Sequence, residues 1–313
     1  MGRGIAVAFA YAGHAVTMID VKLRSAEQFA KLEAEARDEV AKTLASLARF
    51  GLLTEAEAAA VLARVSVVSA AGSAATLAQA SIVFEGVPEV VELKREVLAS
   101  ASMAVGPDVI IASTTSTILV DDLSGAVAHA NRFLNVHWLN PAYLIPLVEI
   151  SPGATTDPAV TARMKSLLEG IGKMPVVCAA RPGFIVPRIQ ALAMNEAARM
   201  VEEGVASAED IDKAIRFGFG FRYAVLGLLE FIDWGGGDIL YYASRYLEGA
   251  LGSERYRAPD VISKNMHEGR IGLRTGAGFL DYSGLDIDAY RERRLADLVA
   301  MLRHFGLARP PVI

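Results

Sequence analysis

One cysteine, Cys178, in 313 residues excludes an intramolecular disulfide and leaves no thiolate set for a structural zinc site, so no metal is expected. No uninterrupted apolar run reaches the roughly 18 to 20 residues that a spanning helix needs, so no membrane partner is expected. An excess of basic charge is also missing. Lys plus Arg number 31 against 36 Asp plus Glu, a net charge of −5. That mild acidity, spread along the chain, argues against a phosphate-backbone partner and hence against nucleic acid. Internal repeats and Ser- or Gly-rich linkers are absent. With 53% apolar and 21% charged residues, the chain is neither disordered nor of low complexity. Its length suits roughly two domains of about 150 residues each.

The opening MGRGIAVAFAYAGHA imitates two targeting signals. A secretory leader has this order of a basic residue, an apolar stretch and small residues. A myristoylation site also begins Met-Gly, but it needs Ser or Thr where Ala6 stands. Gly2, Gly4 and Gly13 instead sit where a Gly-rich turn, a helix and a helix C-cap need them, and VTMID follows as a strand ending in Asp20. The expectation is a folded, cytoplasmic segment.

Strand and helix signals then alternate. A small-residue helix over about 2–12 leads to a strand at Ala15–Ile19. Phe29, Leu32, Ala36, Val40, Leu44 and Leu47 recur at three and four, as on an amphipathic helix. Thr54 with Glu57 forms a capping box that opens a second helix, giving a helical hairpin. Short apolar runs follow at Val65–Val68, Ile82–Phe84, Val109–Ala112, Phe133–Val136, Leu147–Ile150 and Val176–Ala179. Helical segments separate several of them, including Glu92–Ser102 and an Asp157-Pro158-capped helix over Ala159–Ile171. The pattern reads as an α/β domain with a parallel, doubly wound sheet of Rossmann type. After Arg181-Pro182-Gly183 strand signals all but vanish. Phe184 to Glu203 is helical, and Ser207 with Asp210 caps the next helix. The expected domains are therefore 1–181 and an all-helical 182–313.

A dinucleotide site of this type needs a strand, a tight Gly turn, a helix, a second strand and an acidic residue at that strand's end. The last three parts are present. Gly2 can serve as the third glycine, with the helix that starts there pointing amides at a pyrophosphate. Asp20 stands 18 residues on, placed to hold ribose hydroxyls. A carboxylate there repels a 2′-phosphate and favours NAD over NADP, although Lys22 and Arg24 lie close by. The alternative is that Asp20 merely ends a strand. The first strand and first two glycines are missing, so Met1 is expected to be an internal methionine preceded by about 10 to 25 residues, enough for a strand and its turn.

The segments MGRGIAVAFA, EGVPE with Lys94, STTST, NVHWLNP, PLVEI, RPGFIV, GFGFRYAVLGLLE and IGLRTGAGFLDY together resemble the 3-hydroxyacyl-CoA dehydrogenases, over nearly the whole chain. The intervals from Ser116 to His137 and from His137 to Glu149, 21 and 12 residues, agree with that family's catalytic spacing. The resemblance implies NAD-dependent oxidation of a 3-hydroxyl to a 3-keto group, as in fatty-acid metabolism. Such a reaction needs a base for the hydroxyl proton, and imidazole suits it because it titrates near neutral pH. His137 would be that base. Glu149 would bond its other ring nitrogen, as the carboxylate of a triad does, and Ser116 would bond the reacting oxygen. By resemblance Glu89, Lys94 and Asn140 lie against the nicotinamide half of the cofactor. Without the resemblance, a lone His beside an apolar strand reads as structural. His14, His129, His267 and His304 are read that way, and Gly235–Gly237 as a helix–helix turn.

Two departures bear on substrate. Where the family carries an Asn after GFIV, this chain has Pro187, which has no side-chain donor; Gln190, one turn on, is a candidate replacement. At 218–227 the usual Gly-x-Gly-Tyr-Pro-x-Gly-Pro is GFGFRYAVLG, as in the branch resembling lambda-crystallin, gulonate and carnitine dehydrogenases. Arg222 at its centre suits a free carboxylate, which gains most from a bidentate guanidinium. A helix-end arginine is the other reading. A free short 3-hydroxy acid is thus expected ahead of a 3-hydroxyacyl-CoA such as 3-hydroxybutyryl-CoA, with a crystallin-like or inactive paralogue as the contrasting class. The tail, Ile287 to Phe305, has one apolar face to cover, on its own domain or on a second subunit. Family members are commonly dimers through the helical domain, so a homodimer is expected.

Overall fold

The strand–helix alternation of the first half folds into two sheets rather than one. The computed structural model describes residues 1–311, and the chain divides into two compact units, Met1–Met194 and Asn195–Ile313. The first unit runs α1 (Gly2–Tyr11), β1 (Val16–Ile19), α2 (Ala26–Arg49), α3 (Glu55–Ala63), β2 (Val65–Val68), α4 (Ser73–Leu77), β3 (Ile82–Glu85) and α5 (Val91–Ala104). It continues with β4 (Ile110–Ser113), α6 (Val120–Ser124), β5 (Phe133–Trp138), β6 (Leu147–Pro152), α7 (Pro158–Gly170), β7 (Met174–Val177) and α8 (Val186–Glu202), which crosses the division. The capping residues read from the sequence act as such. Thr54 and Glu57 form the reciprocal box at α3, and the Asp157 side chain accepts the Ala159 amide at α7.

β1 pairs only with β2, while β3 to β7 form a five-stranded sheet in sequence order. Every pair is parallel except β5 with β6, which is antiparallel. The parallel sheet expected from the sequence is therefore mixed. The reason is the short link between Trp138 and Leu147, which leaves no room for the crossover of a dozen or more residues that a parallel pair requires. The last strand also begins two residues earlier than its apolar run, because the Met174 amide already donates to Pro146 O at 2.9 Å. The faces of the larger sheet are covered by Ile5, Phe9, Met164 and Leu168 on one side and Leu98, Val120 and Leu123 on the other.

Between β1 and β3 lies a cavity of about 2100 Å³, lined by both strands and by apolar side chains of α1 and α5. Residues of a parallel strand turn their backbone groups to alternate sides. Val16 and Asp20 donate to the carbonyls of Arg64, just before β2, and Val68, at its end, so the amides of Thr17 and Ile19 face the cavity. Thr114 donates to Glu85 O, so the Phe84 amide faces it from the other side. An extended apolar segment laid parallel to both edges would join the two sheets. In hydrogen exchange on residues 1–313, the Thr17, Ile19 and Phe84 amides should exchange about tenfold or more faster than Ala112 and Val136. Equal protection would mean the edges are not open.

The second unit contains no strand among its described residues. It comprises α9 (Ala208–Ala214), a π-helical turn (Ile215–Phe219), α10 (Gly220–Tyr223), α11 (Leu228–Gly235), α12 (Gly237–Leu251), α13 (Asp260–His267) and α14 (Ile287–His304). Gly236, at φ +108°, makes the helix–helix turn between α11 and α12. Asp233, buried on α11, accepts the Phe279 and Leu280 amides at 2.9 and 2.8 Å and the Tyr282 hydroxyl at 3.1 Å, fixing the GAGFLDY segment. Burial and the Asp233 charge push the Tyr282 hydroxyl well above its ordinary value. α14 packs on its own unit: Tyr290 and Arg294 both bond Glu230 of α11, and the Phe305 ring lies against Phe221. No helix among the described residues is long and apolar enough to cross a membrane.

Candidate active site

The antiparallel pairing of β5 and β6 puts His137 directly opposite Glu149. Cross-strand partners have Cβ atoms about 5 Å apart on the same face, and here His137 Nδ1 and Glu149 Oε2 are 2.7 Å apart. Both side chains are buried. The other carboxylate oxygen, Oε1, accepts the amides of Ile185 and Val186 at 2.9 and 2.8 Å. Those are orphan donors at the start of α8, where a helix favours negative charge. Burial alone would raise the Glu149 carboxyl. The His137 hydrogen bond, the Val186 and Ile185 amides and the His137 charge outweigh it and hold Glu149 below the usual carboxylate range. An ionised Glu149 can only accept, which assigns the proton to Nδ1 and leaves Nε2 of a neutral imidazole as a free acceptor. The pair can therefore take a proton at Nε2.

Ser116 lies just beyond β4, next to β5 in the sheet. It is exposed, and its turn is organised by Glu89. Glu89 Oε1 accepts the Ser116 and Thr117 amides at 3.0 and 3.1 Å, the Thr117 hydroxyl at 3.1 Å, and the Thr115 hydroxyl. Burial pushes the Glu89 carboxyl up, but the Thr115 hydroxyl, the Lys94 charge and the Thr117 bonds hold it low. Lys94 is itself fully buried. Its Nζ lies 3.0 Å from Glu85 Oε1 and 3.4 Å from Glu89 Oε2, and donates to Val87 O at 3.1 Å. The Ser113 hydroxyl bonds the far oxygen of Glu85 at 2.6 Å. Breaking a buried ion pair by removing one partner costs about 3–5 kcal/mol, so substitution of Lys94 would report on folding as much as on any ligand.

Gly2, Asp20 and Asn140 line the cavity between β1 and β3. Two features suit a dinucleotide: the α1 N-terminus at Gly2, with Gly86 beside it in van der Waals contact, and a carboxylate at the end of β1. Two do not complete it. Among the described residues no Gly-rich turn precedes α1, and Arg24 Nε already donates to Asp20 Oδ2 at 2.5 Å. Gln190 is exposed on the second turn of α8. In the second unit, Arg222 donates through Nε to Gly218 O at 3.0 Å and lies 4.7 Å over the Phe231 ring. The residues sequence reasoning missed are Phe184, Thr115 and Glu85. GFIV was visible as a motif, but nothing in it shows that Phe184 takes a positive φ.

Residues 1–181 match the family described as 3-hydroxyacyl-CoA dehydrogenase, NAD binding domain, and residues 183–282 match its C-terminal domain. The chain is 33% identical over 222 residues to 5-formyl-3-hydroxy-2-methylpyridine 4-carboxylate 5-dehydrogenase of Mesorhizobium japonicum, covering 71% of this chain and 72% of that one. It is 39% identical to the lambda-crystallin of Oryctolagus cuniculus over 166 residues, about half of each chain (53% and 52%). Among solved structures, a 3-hydroxyacyl-CoA dehydrogenase from Archaeoglobus fulgidus superposes with a TM-score of 0.77 at 32% identity, over 98% of this chain and 96% of the other. The chain belongs to the 3-hydroxyacyl-CoA dehydrogenase family and is an NAD-dependent oxidoreductase acting on a CH–OH group.

Proposed function

We propose that the protein oxidises the 3-hydroxyl of a free short 3-hydroxy acid to the 3-keto acid, with NAD. The observation that carries this reading is the buried His137–Glu149 pair, 2.7 Å apart, with the carboxylate anchored by two backbone amides. NAD, held by this unit, would supply the acceptor for the hydride leaving carbon 3. His137 Nε2 takes the hydroxyl proton, and Glu149 stabilises the imidazolium that results. Ser116 bonds the reacting oxygen, held by the turn that Glu89 organises. Asn140, Glu89 and Lys94 serve the nicotinamide half, with Lys94 acting through Glu85 and Glu89. Gly2 and Asp20 serve the pyrophosphate and the adenosine ribose, and Asp20 disfavours NADP.

Arg222 supplies the carboxylate contact in this reading, since both its Nη groups lack protein partners among the described residues. Its stack on Phe231 would hold the guanidinium plane for bidentate contact. Gln190 is the lesser candidate, in place of the donor that Pro187 cannot provide. Likeness to the Mesorhizobium pyridine-carboxylate dehydrogenase supports a free acid; likeness to the Archaeoglobus 3-hydroxyacyl-CoA dehydrogenase and to the 3-hydroxybutyryl-CoA dehydrogenase of Bradyrhizobium diazoefficiens supports a CoA ester. NADH formation against a panel of 3-hydroxy acids and their CoA esters decides between them. Arg222→Met should raise KM for the free acid by about two to three orders of magnitude, the loss expected for a charged, hydrogen-bonded partner. Unchanged KM would remove the clamp. The lambda-crystallin likeness favours a structural role as the contrasting reading. Turnover of NAD with a 3-hydroxy acid or its CoA ester separates the two, and failure to bind NADH in a fluorescence titration would favour the structural role. The domains are taken as 1–181 and 182–313. A cytoplasmic homodimer completes the proposal, supported by Val205, Phe217, Tyr242, Tyr246 and Leu251 standing exposed on the helical unit.

A further inference from the structure

Phe184 is a bulky residue at φ +45°, preceded by Gly183 at +77°. A left-handed conformation is routine for glycine but an outlier for an aromatic side chain, and such outliers persist where the surrounding structure over-determines them. Here three contacts do so. The Phe184 amide donates to Arg181 O at 3.1 Å, closing the turn. Its side chain is buried, with its ring 5.5 Å from the His137 imidazole at an interplanar angle of 30°. The two amides that follow it are the ones that bond Glu149 Oε1. Gly183 takes the first left-handed position, where any side chain would be strained and a Cβ would stand 3.2 Å from Arg188 Cβ.

We propose that Phe184 is the positioning residue of the His137–Glu149 pair. Its strained turn aims the Ile185 and Val186 amides at one carboxylate oxygen, which directs the other at Nδ1. Its ring covers the imidazole and shields the Nδ1 proton from water. The ring plane is thus held at two places, by a hydrogen bond at its edge and by an aromatic face. The inference rests on His137 as the base only for its effect on turnover; the geometry it describes is independent of the reaction.

The test compares Phe184→Asn, which tolerates a left-handed backbone but removes the ring, with Phe184→Tyr, which keeps the ring. In the wild-type protein the His137 Nδ1 proton should give a resolved downfield resonance in proton NMR. Phe184→Asn should broaden it beyond detection and lower kcat about ten- to a hundredfold, the effect of slight misplacement of a reacting group. Its KM for NAD should stay within about twofold, the signature of losing only transition-state geometry. Phe184→Tyr should restore both the resonance and the rate. An unaltered resonance in Phe184→Asn would overturn the proposal, and so would failure of Phe184→Tyr to restore it. Loss of the resonance with full activity would leave the positioning role standing and refute His137 as the base. Should Phe184→Asn not fold, Phe184→Leu carries the same expectations.

Discussion

Replacing His137 with Gln is expected to lower kcat by about three to four orders of magnitude, the upper range of what a positioned acid–base group contributes. Gln can still bond Glu149 Oε2 across the strand pair, so the fold should survive. It cannot accept a proton at the position of Nε2. NADH affinity, read by fluorescence titration, should stay nearly unchanged, because the imidazole is bonded to Glu149 and packed on Phe184 rather than placed among the features that suit the nucleotide. That separation makes the result interpretable. A large loss of NADH binding would point to collapse of the site, whereas an active Gln variant would refute the assignment of the base.

Glu149→Gln should be nearly as damaging, lowering kcat by about two to four orders of magnitude. A neutral amide can present its NH₂ to Nδ1 and stabilise the wrong tautomer, which places the proton on Nε2 and blocks the base. The same change removes an anion from the start of α8. Stability at pH 7 should fall by about 1–3 kcal/mol, the range for a lost charged hydrogen-bonding group. The pH dependence of that gap has a definite sign. The Glu149 carboxyl is held below its ordinary range in the folded protein, so its contribution is fully present above that range. It is lost as pH falls from the ordinary carboxylate range down through the depressed value. Urea unfolding of wild type and variant at pH 7 and in mild acid reads this directly. A gap that does not narrow on acidification would show that the carboxylate is not favoured by its surroundings.

Much of the fold was legible because the local rules were strong. The capping residues at Thr54 and Asp157 and the apolar period of α2 speak for themselves through side-chain chemistry and helix geometry. The spacing of Ser116, His137 and Glu149 was legible for a different reason: it is a resemblance, and the linear interval carries no geometry. The direction of β6 was not legible in the apolar runs, since a buried strand reads alike in either direction. It was the antiparallel turn that converted twelve residues of separation into a 2.7 Å contact. Glu89 and Lys94 were identified by likeness as cofactor contacts. In the folded chain Glu89 also ties down the Ser116 turn, and Lys94 is committed to Glu85 and Glu89, because a buried ammonium must find partners.

Amino-acid order alone carries the class of fold, the family and the candidate site residues, because helix caps, apolar periods and motif spacings are local or linear properties. Three-dimensional packing alone supplies the mixed sheet, the open slot between β1 and β3, and the amides that keep Glu149 ionised. It also supplies the left-handed turn at Phe184. Each of these depends on which distant backbone groups end up facing one another, and no local rule encodes that.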